Sequence, residues 1–143
     1  MSTRSNIGIK RKNGNIEVVY CHNDGYLSYN GKILLENYQD LDKVNSLIDL
    51  GDMSYLKEDI ESTCFYGRNR GEEETKVCSC IYNNLENYLK NVDSLFIEYI
   101  YLFDETENKW EYAKSYFNQT KEKYCYTDFK ELTTEIIEME SRG

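Results

Sequence analysis

The chain has no proline, one histidine and one tryptophan. With no proline there is no proline-rich linker, and no low-complexity segment or internal repeat takes its place. The single histidine confines any imidazole chemistry to His22. Long apolar runs are missing too. The most apolar window, Leu95 to Phe103, is interrupted by Glu98 and falls far short of the roughly 20 residues a membrane helix needs. The opening Met-Ser-Thr-Arg-Ser-Asn holds no apolar signal core, so neither export by that route nor membrane insertion is expected. There is no Gly-x-Ser-x-Gly elbow, no phosphate-cradling Gly-x-x-x-x-Gly-Lys and no dinucleotide fingerprint. An enzyme is therefore not expected, and no cofactor.

What is present bounds the rest. A chain of 143 residues fits one domain, residues 1–143. At that size folding buries roughly 70% of the unfolded surface, so no metal or disulfide is required. The five cysteines, Cys21, Cys64, Cys78, Cys80 and Cys125, are odd in number and suit reduced thiols in a cytoplasmic setting. Tyrosine is abundant, 14 against five phenylalanines. Coding bias toward AT-rich codons accounts for this, as does a contact surface, where tyrosine is enriched.

The net charge is −9, unevenly spread. Residues 1–32 carry five basic and two acidic side chains, residues 33–103 six and fourteen, and residues 104–143 six and ten. Such a chain is repelled by nucleic-acid phosphate, and direct DNA or RNA binding is not expected. The same field attracts a basic protein surface, including one that normally holds nucleic acid.

Residues 5–11 and 15–21 alternate as two strands around Asn13-Gly14, a strong hairpin signal. A loop rich in Asn, Asp and Gly follows. Short helices are expected from Lys32 to Tyr38 and from Leu41 to Leu50, the second capped by Asp40 and stopped by Gly51. Residues 52–61 are expected to add a further helical turn. Thr63–Tyr66 reads as a strand, 82–91 as a helix, Ser94–Phe103 as a central strand, and Trp110–Phe117 and Lys123–Tyr126 as further strands. A C-terminal amphipathic helix is expected from Thr127, with Phe129, Leu132, Ile136 and Ile137 on one face and Asp128, Glu131, Glu135 and Glu138 on the other. The sum is a single α+β domain: an antiparallel sheet with an N-terminal hairpin and helices on one face.

Several residues invite a chemical role. His22 stands two residues from Asp24, a pair able to orient a general base, although turn formation explains Asp24 equally. Cys78-x-Cys80, with Cys64 and Cys125, could offer thiolates to zinc, or the cysteines are small hydrophobes. Arg68 and Arg70 in a Gly-flanked loop suit an anionic group, with Tyr26 or Tyr66 to stack on a base. Glu72, Glu73 and Glu74 follow at once and could neutralise them. The acidic set Asp128, Glu131, Glu135, Glu138 and Glu140, with Asp104, Glu105 and Glu107, either imitates a nucleic-acid backbone or forms a solvated face.

Three segments resemble a group of small, mostly uncharacterised proteins of phages and integrated elements: Met1-Ser2-Thr3-Arg4-Ser5, Tyr20-Cys21-His22-Asn23-Asp24-Gly25-Tyr26 and Asn30-Gly31-Lys32-Ile33-Leu34-Leu35-Glu36. Leu50-Gly51-Asp52 and Arg68-Asn69-Arg70-Gly71-Glu72 are similar as well. In that group a tryptophan often stands at the position of Asn23, so no aromatic role is built there. The resemblance implies a context, not a reaction. Small acidic phage proteins without enzymatic motifs are often antagonists of bacterial defence, including anti-CRISPR proteins. The expected partner is then a host defence protein such as a Cas effector subunit, met by the acidic residues Asp128, Glu131, Glu135 and Glu138 and by tyrosines. A nucleotide-holding sponge using His22, Asp24, Tyr26, Tyr66, Arg68 and Arg70 is the other reading.

Overall fold

The computed structural model of the chain describes residues 2–142. Met1, which opens the first segment of the phage resemblance, lies outside them. β1 (Ser5–Lys10) and β2 (Ile16–Cys21) form the expected antiparallel hairpin. Its loop closes with Arg11 N donating to Asn15 O at 2.8 Å and Gly14 N donating to Arg11 O at 2.9 Å. A π-helical turn (Leu27–Gly31) leads into α1 (Lys32–Asn37) and then α2 (Leu41–Asp49). The signals read for α2 are in place. The Asp40 side chain accepts from Asp42 N, and Gly51 ends the segment at φ 87°. A Cβ on Gly51 would lie 2.3 Å from Val77 O, so glycine is required twice over.

Residues 52–61 do not continue as helix. β3 (Met53–Tyr55) pairs in parallel with the end of β2, and β4 (Cys64–Phe65) pairs antiparallel with β3. The N–H groups just past β2 need acceptors, and Met53 O and Ser54 O supply them to His22 and Asn23 at 3.1 Å. The chain continues through α3 (Glu74–Val77), β5 (Cys80–Tyr82), α4 (Leu85–Asn91), β6 (Tyr99–Asp104), β7 (Lys109–Asn118), β8 (Lys123–Tyr126), β9 (Lys130–Glu131) and α5 (Thr134–Arg142).

The strands form one sheet in the order β4-β3-β2-β1-β6-β7-β8, with β5 also on β2 and β9 also on β7. The α+β class, the hairpin and the C-terminal helix are those expected from the sequence. Two details differ. The sheet is mixed, because β1 runs parallel to β6 and β2 parallel to β3. Helices also cover both faces rather than one. On the first face Ile7, Ile9, Val19, Tyr99, Tyr101 and Phe103 pack with Leu34, Tyr38, Val44, Leu47, Ile48 and Ile137 from α1, α2, α5 and their flanks. On the second, Ile16, Val18, Ile100 and Leu102 pack with Tyr88, and Leu85 and Leu89 of α4 join them. Every residue of β6 is buried. A strand sandwiched in this way reads as a continuous apolar run, which hides its neighbours' direction from an alternation analysis.

The last segment also differs. The β7 edge takes Lys130 and Glu131 as β9, with Leu132 N donating to Trp110 O at 2.9 Å. α5 therefore starts at Thr134, where Thr133 Oγ1 accepts from Ile136 N at 3.3 Å, and not at Thr127.

Gly8 sits mid-strand in β1 opposite Val18 and Leu102. A Cβ there would lie 2.3 Å from Glu17 O and 2.5 Å from Val18 Cγ1. Gly8→Ala is expected to cost about 3 kcal/mol, the upper range for overpacking a closed core. Urea denaturation measures it, and a loss under about 1 kcal/mol would mean that the β1–β2 backbone yields without strain.

Candidate functional site

The acidic residues of the C-terminal region do not share one helix face. Asp128 precedes β9, Glu131 lies in β9 and is paired with Lys109 Nζ at 3.3 Å, and Glu135 and Glu138 are exposed on α5. Glu140 turns inward. Its Oε1 accepts from Ser28 N and its Oε2 from Tyr99 Oη, both at 2.8 Å, which fastens α5 to the π-helical turn and the sheet. Asp104 and Glu105 are also engaged inside the fold. Asp104 Oδ1 accepts from Thr106 N and Glu107 N in the β6–β7 turn. Glu105 accepts from Lys12 N and pairs with Arg11, and these contacts hold its carboxyl below the usual range.

Beside α5 the surface changes character. Tyr26 and Tyr29 are exposed on and next to the π-helical turn, their rings 6.2 Å apart, and Tyr26 meets the edge of Tyr99 at 6.3 Å. Met139 of α5 is 68% exposed. A groove of about 450 Å³ is lined by Leu27, Tyr112, Ile136, Met139, Lys114, Lys130 and Glu140. Local structure explains the exposure. With Glu140 drawn to Ser28 and Tyr99 and Ile137 buried, the helix periodicity leaves Glu135, Glu138 and Met139 on the outside. The result is a set of apolar anchors beside exposed carboxylates.

The segment at 20–26 is held firmly. Asp24 takes φ 60°, Gly25 N donates to Thr3 O at 2.9 Å, and Tyr101 Oη donates to Gly25 O at 2.6 Å. Below it Asn30, fully buried, reaches Asn23 O at 3.1 Å and Ser5 Oγ at 3.2 Å. Cys21 lies beside Asn30, and burial pushes its thiol up to about 12, so it is no nucleophile at neutral pH. His22 does not bond to Asp24. Its Nδ1 is 2.6 Å from Tyr20 Oη, while Asp24 is exposed. Alternate residues of a strand share a face, so the Tyr20–His22 contact could have been read from spacing alone.

Asp52 closes a gap in the sheet. β5 covers the β2 edge at Ile16–Val18 and β3 covers it at Cys21. The N–H of Tyr20 falls between them and donates to Asp52 Oδ1 at 2.9 Å. Burial raises the Asp52 carboxyl to about 6, and that hydrogen bond only partly opposes it.

The two loop arginines are brought to different partners. Arg68 Nη2 donates to the carbonyls of Ile60, Glu61 and Thr63 at 2.9, 3.2 and 2.8 Å, and its guanidinium stacks on Phe65 at 4.9 Å. Arg70 pairs with Glu72 at 3.2 Å and lies 4.6 Å over Tyr66. Arg68 is thus a clamp on the 59–63 turn rather than a free anion contact. All five cysteines are free, and among the described residues no group of His, Cys, Asp and Glu is arranged to hold a metal. No described helix is long and apolar enough to cross a membrane. Compared with protein-family models, curated proteins and solved structures, the chain matches none.

The raised Asp52 carboxyl has a consequence for stability. A carboxyl whose folded pKa exceeds its unfolded value leaves the folded state holding more protons between the two values. Stability is then lost as pH rises from about 4 through about 6. Asp52→Asn keeps an acceptor for Tyr20 N but cannot ionise. Melting temperatures across pH 4 to 7 are expected to shift progressively in favour of the variant, whereas a constant difference would show that Asp52 ionises as freely folded as unfolded.

Proposed function

We propose that this protein is a phage- or prophage-encoded antagonist that binds a host defence protein, such as a Cas effector subunit, through the surface of α5 and the π-helical turn. The observation that carries the reading is an open groove lined by exposed Met139, with exposed Tyr26 and Tyr29 on and next to the π-helical turn that Glu140 ties to α5, and exposed Glu135 and Glu138 on that helix. Tyrosine supplies large, rigid contact area with a polar tip, and methionine adapts to irregular partners. A few such anchors dominate binding, each worth about 2 kcal/mol or more when desolvated. The net charge of −9 favours encounter with a basic surface, and a channel that normally holds nucleic acid is one. The resemblance to phage proteins supplies the setting.

Tagged protein pulled from a lysate of a defence-competent host, with mass spectrometry of the eluate, is expected to return a stoichiometric defence protein. Two double variants then test the surface against that isolated partner: Tyr29→Ala with Met139→Ala, and Glu135→Lys with Glu138→Lys. Loss of one to two anchors is expected to weaken binding at least about tenfold. The charge pair is expected mainly to slow association and to reduce its salt dependence. Unchanged affinity and rates in both variants would exclude this surface as the contact.

A further inference from the structure

On the second face of the sheet, past the end of α4, four side chains from distant parts of the chain meet. Arg4 lies 4.3 Å over the ring of Phe96. Tyr20 packs against that same ring at 5.7 Å and against the edge of His22 at 5.9 Å. Burial raises the Tyr20 phenol, and the positive charge of Arg4 works against that rise. The backbone fixes the arrangement, with Glu98 N donating to Arg4 O at 3.0 Å and Asp52 accepting from Tyr20 N.

The Arg4 guanidinium has no carboxylate within ion-pair distance among the described residues, and its Nε is buried without a hydrogen-bond partner. A buried donor left unmatched costs about 1–3 kcal/mol, more on a charged group. Other arginines in this fold are matched: Arg11 by Glu17 and Glu105, Arg68 by three carbonyls, Arg70 by Glu72.

Tyr20 Oη and His22 Nδ1 lie 2.6 Å apart and share a hydrogen bond that holds the imidazole against Tyr20. A neutral imidazole that accepts at Nδ1 carries its proton on Nε2. A protonated one carries a proton there as well. In both of these forms His22 presents an N–H donor at Nε2, an atom without a partner among the described residues. The cluster therefore offers an uncompensated cation and an unengaged imidazole nitrogen, held on an aromatic bed.

We infer that Arg4, Tyr20 and His22 form a binding site for the phosphoryl group of a small organic phosphate. Planar, charge-assisted donors of this kind match an oxyanion. The site uses neither Arg68 nor the α5 surface, and it stands or falls independently of the antagonist reading.

The one histidine makes the test direct, because its ring gives a single set of imidazole signals in a ¹H–¹³C spectrum of the whole chain. Inorganic phosphate and AMP are titrated separately, each against sodium chloride at matched ionic strength. A saturable shift of the His22 signals with either probe is the expected result. Equal affinity for both places recognition in the phosphoryl group alone, and tighter AMP binding adds the nucleoside to the ligand. Arg4→Gln is expected to weaken the response at least tenfold. Tyr20→Phe keeps the ring contacts, removes the hydrogen bond to His22, and is expected to weaken it at least threefold, which keeps the test open if Arg4→Gln does not fold. No saturable shift beyond chloride with either probe overturns the proposal, and so does unchanged affinity in the folded variants.

Discussion

The hydrogen-bonded pairing of β1 with β6 joins the hairpin to a strand laid down after α1 to α4, from Ser5 opposite Tyr99 to Lys10 opposite Asp104. Each remaining part hangs from one side of that seam. The β2 side carries β3, β4 and β5, and the β6 side carries β7, β8 and β9. Contacts at both ends lock it. Glu98 N meets Arg4 O at one end, and Arg11 bridges Glu17 and Glu105 at the other. The two apolar faces of the sheet are continuous only because these strands are neighbours. The site at Arg4 exists for the same reason, since Phe96 stands just before β6 and Tyr20 on the far strand of the hairpin.

The wealth of tyrosine has a structural explanation that composition did not suggest. Buried and half-buried tyrosines pack their rings in or against the core and use their hydroxyls to pin loops. Tyr38 Oη donates to Lys57 O, Tyr101 Oη to Gly25 O and Tyr126 Oη to Ile97 O, while Tyr88 Oη accepts from Asn6. Phenylalanine would fill the same space and leave those polar partners unmatched. Other tyrosines, Tyr26 and Tyr29 among them, remain outside. Both explanations weighed for tyrosine therefore leave room for a third, in which the hydroxyl substitutes for missing loop-closing residues in a chain without proline.

Local signals were legible where they were self-contained. The hairpin, α2 with Asp40 and Gly51, and the β6–β7 pair follow from periodicity and turn chemistry within short windows. What depended on a distant strand was not legible. Lys130 and Glu131 have helix-compatible identities, yet the open β7 edge takes them as a strand and delays α5. Glu140 looks like one more surface carboxylate until the π-helical turn offers Ser28 N. Of the site residues, Tyr20 and His22 share a face by simple alternation. Arg4 and Phe96 could not be joined to them, because that juxtaposition is set by the register of β1 on β6.

The same seam governs how the chain can fold. Local pairing can form β1 and β2 early, but Ile7 and Ile9 gain their second neighbour only when β6 arrives. Closing so long a loop is entropically costly before any non-local contact compensates, and topologies of this kind fold slowly. During synthesis the hairpin must therefore wait, one edge unpaired and its apolar faces bare, until the chain through Asp104 has left the ribosome. A polypeptide wired in this order assembles late and as a unit, and its most aggregation-prone moment falls before the sixth strand emerges.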